Sequence, residues 1–385
     1  MRIGIVAGES SGDILGAGLI RAIRQRRPDA SFEGVAGPLM QKAGCQALYP
    51  AETLSVMGLV EVLRHLPRLL RVRADLKRHF TADPPDVFVG IDSPDFNLGL
   101  EEALRRQGIP TVHYVSPSIW AWRPQRVFKV GRAADLTLAL LPFEPPLYDK
   151  HGFKATFVGH PLADSIPMQP DRRALRTELH LPQDKQVLAI LPGSRYSEVH
   201  RLGPLFLRTA AWLNQQLPEL HFVIPAATTD MNQLLKQQIR SLEPDLPVTL
   251  VEGHSHEALG AADAVLLASG TAALEAMLFK CPMVVAYRIS ALSHDIIRGL
   301  GLLKIRHVSL PNLLAEKELV PEFLQYRATP ERLGAAALRL LTDRSARDAQ
   351  IRGLQALTGV LRVGADQRAA EAVLALADSR RRRPE

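Results

Sequence analysis

Four stretches of this sequence place reactive or ligand-binding side chains directly after short apolar runs, and they divide by charge. From Val89 to Asn97 the chain reads VGIDSPDFN, which brings Asp92 and Asp95 to the end of one such run. A carboxylate there can take a proton from an attacking hydroxyl, and Asp92, the first residue past the run, is the candidate base. Asp95 is a candidate contact on the same side, with a helix cap as its alternative. The stretch Gly8 to Asp13, GESSGD, is also acidic. Glu9 and Asp13 would repel a phosphate, so the guest expected here is a hydroxyl-rich acceptor bonded to Glu9. Ser10 and Ser11 either touch that acceptor or cap the following helix.

The other two stretches suit an anion. After Gly193 and Ser194 in LPGSR, Arg195 can offer a forked set of donors to a diphosphate, pairing with Glu198 being the alternative. Ser269, Gly270 and Thr271 open a helix after a third apolar run, presenting amides and hydroxyls as a phosphate site requires. Glu275, four residues beyond Thr271, could accept from ribose hydroxyls or simply sit well near a helix N-terminus. A polar segment, His113 to Arg123, adds hydrogen-bonding groups and two indoles. Trp120 and Trp122 offer platforms for a sugar or acyl chains, although core packing explains Trp120 equally well. Arg126, Lys129 and Arg132 form a basic helix beside them. His254 and His256 could touch a ligand, but no HExxH and no G-x-S-x-G is present, so neither a metal, a cofactor nor a nucleophilic triad is expected. Cys45 and Cys281 read as small buried hydrophobes.

These turns need rigid elements behind them. In the first half the apolar runs are Ile3 to Ala7, Val87 to Ile91, Thr111 to Val115, Leu136 to Leu140 and Thr156 to Val158. In the second they are Val187 to Leu191, His221 to Ile224, Val248 to Val251, Ala264 to Leu267 and Met283 to Ala286. They lack alternation, as strands buried on both faces do, and helical patterns separate them. The reading is α/β, with two Rossmann-like doubly wound domains facing a central cleft that both glycine-marked turns line. The divisions expected are residues 1–165, a proline-rich linker over 166–185, 186–350, helices over 351–378 that cross back or swap between subunits, and a basic tail over 379–385.

The 385 residues exceed what one hydrophobic core usually supports, and 47 basic against 40 acidic side chains leave a net charge of +7. That excess suits a phosphate-bearing substrate, acidic lipid or RNA without choosing among them. The start lacks the regions of a signal peptide and no run is apolar enough for a spanning helix, so a cytoplasmic protein is expected. Between Leu59 and Phe80, however, Leu59, Val62, Leu63, Leu66, Leu69, Leu70 and Leu76 recur at helical spacing, flanked by Arg64, Arg68 and Arg71 and divided or kinked at Pro67, while Val60 extends the apolar material beyond that face. The stripe either packs on the first sheet or lies on an anionic membrane. The basic segments lack a nucleic-acid recognition module.

Eleven ordered motifs resemble the lipid-A-disaccharide synthase family across nearly the whole chain. They include VAGESSGD at 6–13, VMGLVEVL at 56–63, DVFVGIDSPDFN at 86–97, HYVSPSIWAWR at 113–123, LPFE at 141–144, VGHPLAD at 158–164, LPGSR at 191–195, LLASGTAALEAML at 266–278 and VSLPNLLA at 308–315. The resemblance implies a GT-B glycosyltransferase that moves 2,3-diacylglucosamine from its UDP conjugate to the 6-hydroxyl of 2,3-diacylglucosamine 1-phosphate (lipid X), with inversion and without a metal. It implies UDP and the β-1′,6 disaccharide as products, and a place on the anionic inner-membrane surface, with a homodimer left open. It marks Asp92 as base, Arg195 and Asn312 as essential cleft residues, Glu9 as a further catalytic residue, and Gly270, Thr271 and Glu275 as part of the UDP site. By propensity alone Asn312 is a loop residue that caps a helix. Another GT-B enzyme, such as a UDP-sugar epimerase, and a noncatalytic lipid- or nucleic-acid-binding protein are the competing readings.

Overall fold

The computed structural model describes residues 1–54, 59–120, 125–288 and 307–381, with the backbone alone for 59–65, 380 and 381. The chain divides into two compact units, Met1–Asp164 with Val360–Glu385, and Ser165–Gly359.

The first unit holds a seven-stranded sheet of β1 (Arg2–Ala7), β2 (Ser31–Ala36), β3 (Cys45–Pro50), β4 (Val87–Ile91), β5 (Thr111–Tyr114), β6 (Leu136–Ala139) and β7 (Ala155–Phe157), in the order β3-β2-β1-β4-β5-β6-β7. Every pairing is parallel. The sheet is covered on both sides. One face packs Ile3, Ile5, Val87, Val89 and Ile91 with helix Ser10–Arg26. The other packs Val6, Val35 and Phe88 against Val72, Leu76 and Phe80 of helix Leu59–Ala82. That helix runs through Pro67 and is not divided there.

The second unit repeats the plan with β8 (Val187–Leu191), β9 (His221–Ala226), β10 (Val248–Glu252), β11 (Ala264–Ala268), β12 (Met283–Tyr287) and β13 (Glu322–Leu324), ordered β10-β9-β8-β11-β12-β13 and parallel throughout. In each sheet the strand order reverses beside its first strand, at β1/β4 and at β8/β11. Loops leaving a reversal point diverge to opposite faces and leave room for a ligand at the carboxyl ends.

The expected linker over 166–185 is different in kind. It contains helix Arg172–Glu178, capped by Asp171, whose side chain accepts from the Ala174 amide. Arg176 is buried, donating to the Ala261 and Lys185 carbonyls at 3.0 Å each and pairing with Asp263 at 2.8 Å. A guanidinium committed to that many acceptors makes the segment part of the second unit. The return to the first unit runs from helix Arg344–Leu361 into helix Ala365–Arg381. Asp164 receives the Gly364 and Ala365 amides at 3.0 and 2.6 Å, and Ala369, Ala370, Val373 and Ala377 then join the first core. The terminal helix thus packs against Ser10–Arg26 of its own chain, with Arg26 paired to Glu371 and Arg27 to Asp378. Among the described residues, no helix is long and apolar enough to cross a membrane.

Candidate active site

In the first unit the register Ala7↔Ile91 carries β1 and β4 to the same level, so the turns that follow them are neighbours. A Cβ placed on Gly8 would lie 3.0 Å from Ser93 Oγ. Asp92 and Ser93 both adopt left-handed backbone, with φ of 50° and 43°. Two successive non-glycine residues in that region are costly unless their surroundings enforce it. Here they do. The Asp92 amide donates to the Tyr114 carbonyl at 2.8 Å, and buried Asn97 donates its side-chain amide to the Ile91 and Asp92 carbonyls at 3.1 and 2.8 Å. Beneath Asn97, Glu101 Oε1 lies 2.8 Å from His113 Nδ1, both fully buried, and burial pushes the Glu101 carboxyl up. Only glycine fits at position 90, where a Cβ would meet Glu101 Oε1 at 2.0 Å. His113 therefore supports the turn from below and does not present a hydrogen bond to a ligand.

Glu9 is the exposed N-cap of helix Ser10–Arg26, and its side chain makes no capping bond. Ser10 and Ser11 are exposed within the first turn, so neither is the cap. Asp13 departs from expectation. It is buried and accepts the Leu39 and Met40 amides at 2.9 Å each, so it starts the next helix, and Glu9 alone makes this turn acidic toward a ligand. Asp95 is exposed, 3.9 Å from Arg126, and the cap of its helix is Ser93.

Trp120 is half-buried, edge-on to Phe143 with ring centres 5.6 Å apart, while Trp122 and Arg123 lie outside the described residues. Beside it sits a carboxylate that residue spacing did not single out. Glu144 is buried after β6, accepts the Leu141 amide at 3.1 Å, and takes side-chain hydrogen bonds from Ser116 and Trp120. Burial pushes it up to about 8, against these lowering hydrogen bonds. Asp92 directly follows its apolar run, whereas Leu141, Pro142 and Phe143 separate Glu144 from the run that ends at Leu140, so position alone gave little signal.

In the second unit a pocket of about 390 Å³ opens at the carboxyl ends of β8, β9, β11 and β12. Gly193, with φ of +128°, Ser194 and Arg195 form one wall, and Ser269 to Ala272 form another. Glu198 folds back over the glycine turn, accepting the Ser194 amide at 3.2 Å and lying 3.4 Å from Arg195 Nη1. The pairing considered as an alternative for Arg195 is thus present, but the arginine is 74% exposed. So exposed a pair holds the guanidinium only weakly and leaves it able to turn toward an anion. Helix Thr271–Leu278 begins at Gly270, which has no side chain to cap it; the Ala273 amide donates to the Gly270 carbonyl at 3.1 Å, and Thr271 and Ala272, whose amides precede the intrahelical ladder, line the pocket. Glu275 lies 3.8 Å from His256 Nε2, and hydrogen bonding to Glu275 raises the imidazole above its ordinary range.

Ser269 and Asn312 differ from expectation. The Ser269 amide donates to the Ala286 carbonyl at 3.0 Å and its hydroxyl to the Val308 carbonyl at 3.2 Å, so both its protons are committed within the protein. Asn312 is fully buried and makes four hydrogen bonds, to Val320 on both its atoms, to the Leu319 amide and to Glu322. Its side chain has no atom left for a substrate. Among the described residues, Glu178, His254 and Glu257 are metal-compatible, with ligand atoms within 4.8 Å of one another, and none of them lines this pocket. Both cysteines are buried, which pushes each thiol up to about 12.

On helix Leu59–Ala82, Leu66 and Leu70 are 41% and 46% exposed, Leu69 is half-buried, and Arg68 and Arg71 are exposed beside them. Leu76 belongs to the core. The side chains of Val60, Leu63 and Arg64 lie outside the described residues.

Residues 3–376 match the family model described as lipid-A-disaccharide synthetase. The lipid-A-disaccharide synthase of Hahella chejuensis is 53% identical over 383 residues, covering 99% of this chain and 96% of its own. That of Pseudomonas aeruginosa is 53% identical over 380 residues, covering 99% of each. The chain belongs to the lipid-A-disaccharide synthase family. It is a glycosyltransferase of lipid A disaccharide formation, which removes the noncatalytic reading. Solved structures share its GT-B-type fold at low identity. A UDP-GlcNAc 2-epimerase from Neisseria meningitidis, bound to UDP-GlcNAc, aligns with a TM-score of 0.63 at 14% identity over 94% of this chain and 98% of that one. The calicheamicin glycosyltransferase aligns with a TM-score of 0.57 at 19% identity over 98% of each.

The environment of Glu144 gives a pH dependence. Its ordinary value is 4.5, so above that pH the unfolded chain releases a proton that the folded protein keeps up to about 8. The stabilising neutral form is fully present at acid pH and its contribution is lost as pH rises between those values. Glu144→Gln stays neutral, so urea unfolding should show its stability rising relative to the wild type from about pH 5 to about pH 8. A difference that does not vary with pH contradicts this assignment.

Proposed function

We propose that the chain transfers 2,3-diacylglucosamine from UDP-2,3-diacylglucosamine to the 6-hydroxyl of 2,3-diacylglucosamine 1-phosphate, forming the β-1′,6 linkage with inversion and releasing UDP. The observation that carries this reading is the difference between the two sets of strand-end turns. In the second unit a pocket combines the exposed Arg195 guanidinium with uncapped amides after Gly270, a setting that stabilises a departing diphosphate. Gly193 and Ser194 bring their backbone to the same wall, Thr271 adds a hydroxyl, and Glu275 accepts from the ribose. In the first unit, Asp92 and Glu9 close two neighbouring turns with carboxylates, which suits an acceptor approaching through its hydroxyls.

In this mechanism Asp92 removes the 6-hydroxyl proton as the oxygen attacks the anomeric carbon from the side opposite UDP. The negative charge that grows on the leaving diphosphate meets Arg195 and the helix amides, which favour the transition state over bound substrate. Glu9 and Asp95 bond to acceptor hydroxyls, and the Trp120 face packs on the sugar or its acyl chains. The acyl chains deliver both substrates from a cytoplasmic membrane surface, against which Leu66, Leu69 and Leu70 insert while Arg68 and Arg71 face anionic headgroups.

Purified protein given both lipid substrates should release UDP and form the disaccharide. Asp92→Asn, folded as judged by thermal melting, should lose roughly 10²- to 10⁴-fold in turnover. Turnover close to the wild type would overturn the base assignment, and consumption of UDP-GlcNAc without acceptor would favour an epimerase. Replacing the exposed Leu66 and Leu70 by Asp should leave the melting temperature nearly unchanged and weaken binding to vesicles containing phosphatidylglycerol. Undiminished vesicle binding would contradict the membrane face.

A further inference from the structure

Glu322, the first residue of β13, lies outside the lining of the donor pocket, yet among the described residues four donors converge on it. Its Oε2 accepts the Val308 amide at 3.0 Å. Its Oε1 accepts the Ser309 amide at 2.9 Å, the Ser309 hydroxyl, and the Asn312 side-chain amide at 2.8 Å. Ser309 and Asn312 are fully buried, so these donors have no recourse to water. A carboxylate is the one side chain of this length that accepts at both oxygens and donates at neither. Glutamine would turn an NH₂ toward donors already pointing inward.

The cluster is tied down at one end and reaches the pocket at the other. Glu322 is registered on the sheet opposite Val285 of β12, and Asn312 closes the loop before it by accepting the Leu319 and Val320 amides at 2.7 and 2.8 Å. On the far side, the Val308 carbonyl takes the hydroxyl proton of Ser269, a residue of the pocket wall that precedes Gly270. The sheet edge therefore sets the position of residues 308–312, and these set the turn from which helix Thr271–Leu278 starts.

We propose that Glu322 is a positioning residue for donor binding, acting through Val308 on Ser269. It holds the Ser269 hydroxyl away from the ligand and fixes the turn so that the helix amides point at the diphosphate. Asn312 works within the same frame and touches no substrate. This inference rests on the reading that the donor's diphosphate occupies this pocket.

The test is calorimetric titration of UDP into the wild-type protein, Glu322→Gln, Ser269→Ala and the double variant. Glu322→Gln should weaken UDP binding by about tenfold, the scale of one hydrogen bond to a charged group. Ser269→Ala should also weaken it, and the double variant should bind no more weakly than Glu322→Gln, because both changes cut one link. A control for general loss of stability is Asp343→Ala, which removes the cap on the Ala346 amide elsewhere in the unit and should lower the melting temperature with UDP affinity unchanged. If Glu322→Gln does not fold, Ser309→Ala removes one of the four donors and should weaken UDP binding by a smaller factor. Wild-type affinity in Glu322→Gln, or in Ser309→Ala as its substitute, overturns the proposal, as do multiplying effects in the double variant or an equal loss in Asp343→Ala. Failure of the wild-type protein to bind UDP would instead overturn the donor reading on which it rests.

Discussion

A parallel sheet covered on both faces spends the side chains of its strands on packing. Ile3, Ile5, Val87, Val89 and Ile91 are fully buried in the first unit, as are Leu188, Leu266 and Val284 in the second. Polar chemistry is thereby confined to the residues that leave the strands. Strand direction, common to every pairing, puts those exits at one edge of each sheet, and the reversals at β1/β4 and β8/β11 separate the outgoing loops there. Asp92, Glu9, Arg195 and Ser269 are all within a few residues of such an exit. The position of the chemistry follows from burial of the strands.

What the exits hold depends on buried polar groups beneath them. The left-handed pair Asp92 and Ser93 is held by Asn97, whose helix in turn carries Glu101 to His113. Gly90 is required by the space these side chains occupy. In the second unit the corresponding support comes from a sheet edge, with Glu322 and Asn312 holding the segment that receives the Ser269 hydroxyl. Each unit thus places a strained or close-packed turn at its strand ends and fixes it with donors and acceptors removed from water, where an unmet partner is costly.

Features confined to one apolar run and the residue after it were legible in the sequence. The ten runs appear as strands, and Asp92, Glu9 and Arg195 stand at their ends. Three strands were not legible: β2 (SFEGVA) and β3 (CQALYP) are interrupted by polar residues or glycine, and β13 is a three-residue edge. Roles that depend on a partner distant in the chain were also hidden. Asp13 meets amides 26 and 27 residues away, Ser269 a carbonyl 39 residues away, and Arg176 a carboxylate 87 residues away. Spacing could offer these residues to a ligand but could not reveal that the protein itself had used them. The proline-rich 166–185 segment reads as a linker for the same reason, since two of the acceptors that fix Arg176, the Ala261 carbonyl and the Asp263 carboxylate, lie outside it.

In the proposed reaction the separation of a carboxylate set from a cationic, amide-rich set assigns the two units distinct work, base catalysis to one and diphosphate binding to the other. Calorimetric UDP affinity of Asp92→Asn and Arg195→Ala, measured beside the wild type, tests that division most directly. Asp92→Asn should bind UDP as the wild type does, while Arg195→Ala should bind it about tenfold or more weakly. Loss of UDP affinity in Asp92→Asn with none in Arg195→Ala would contradict it.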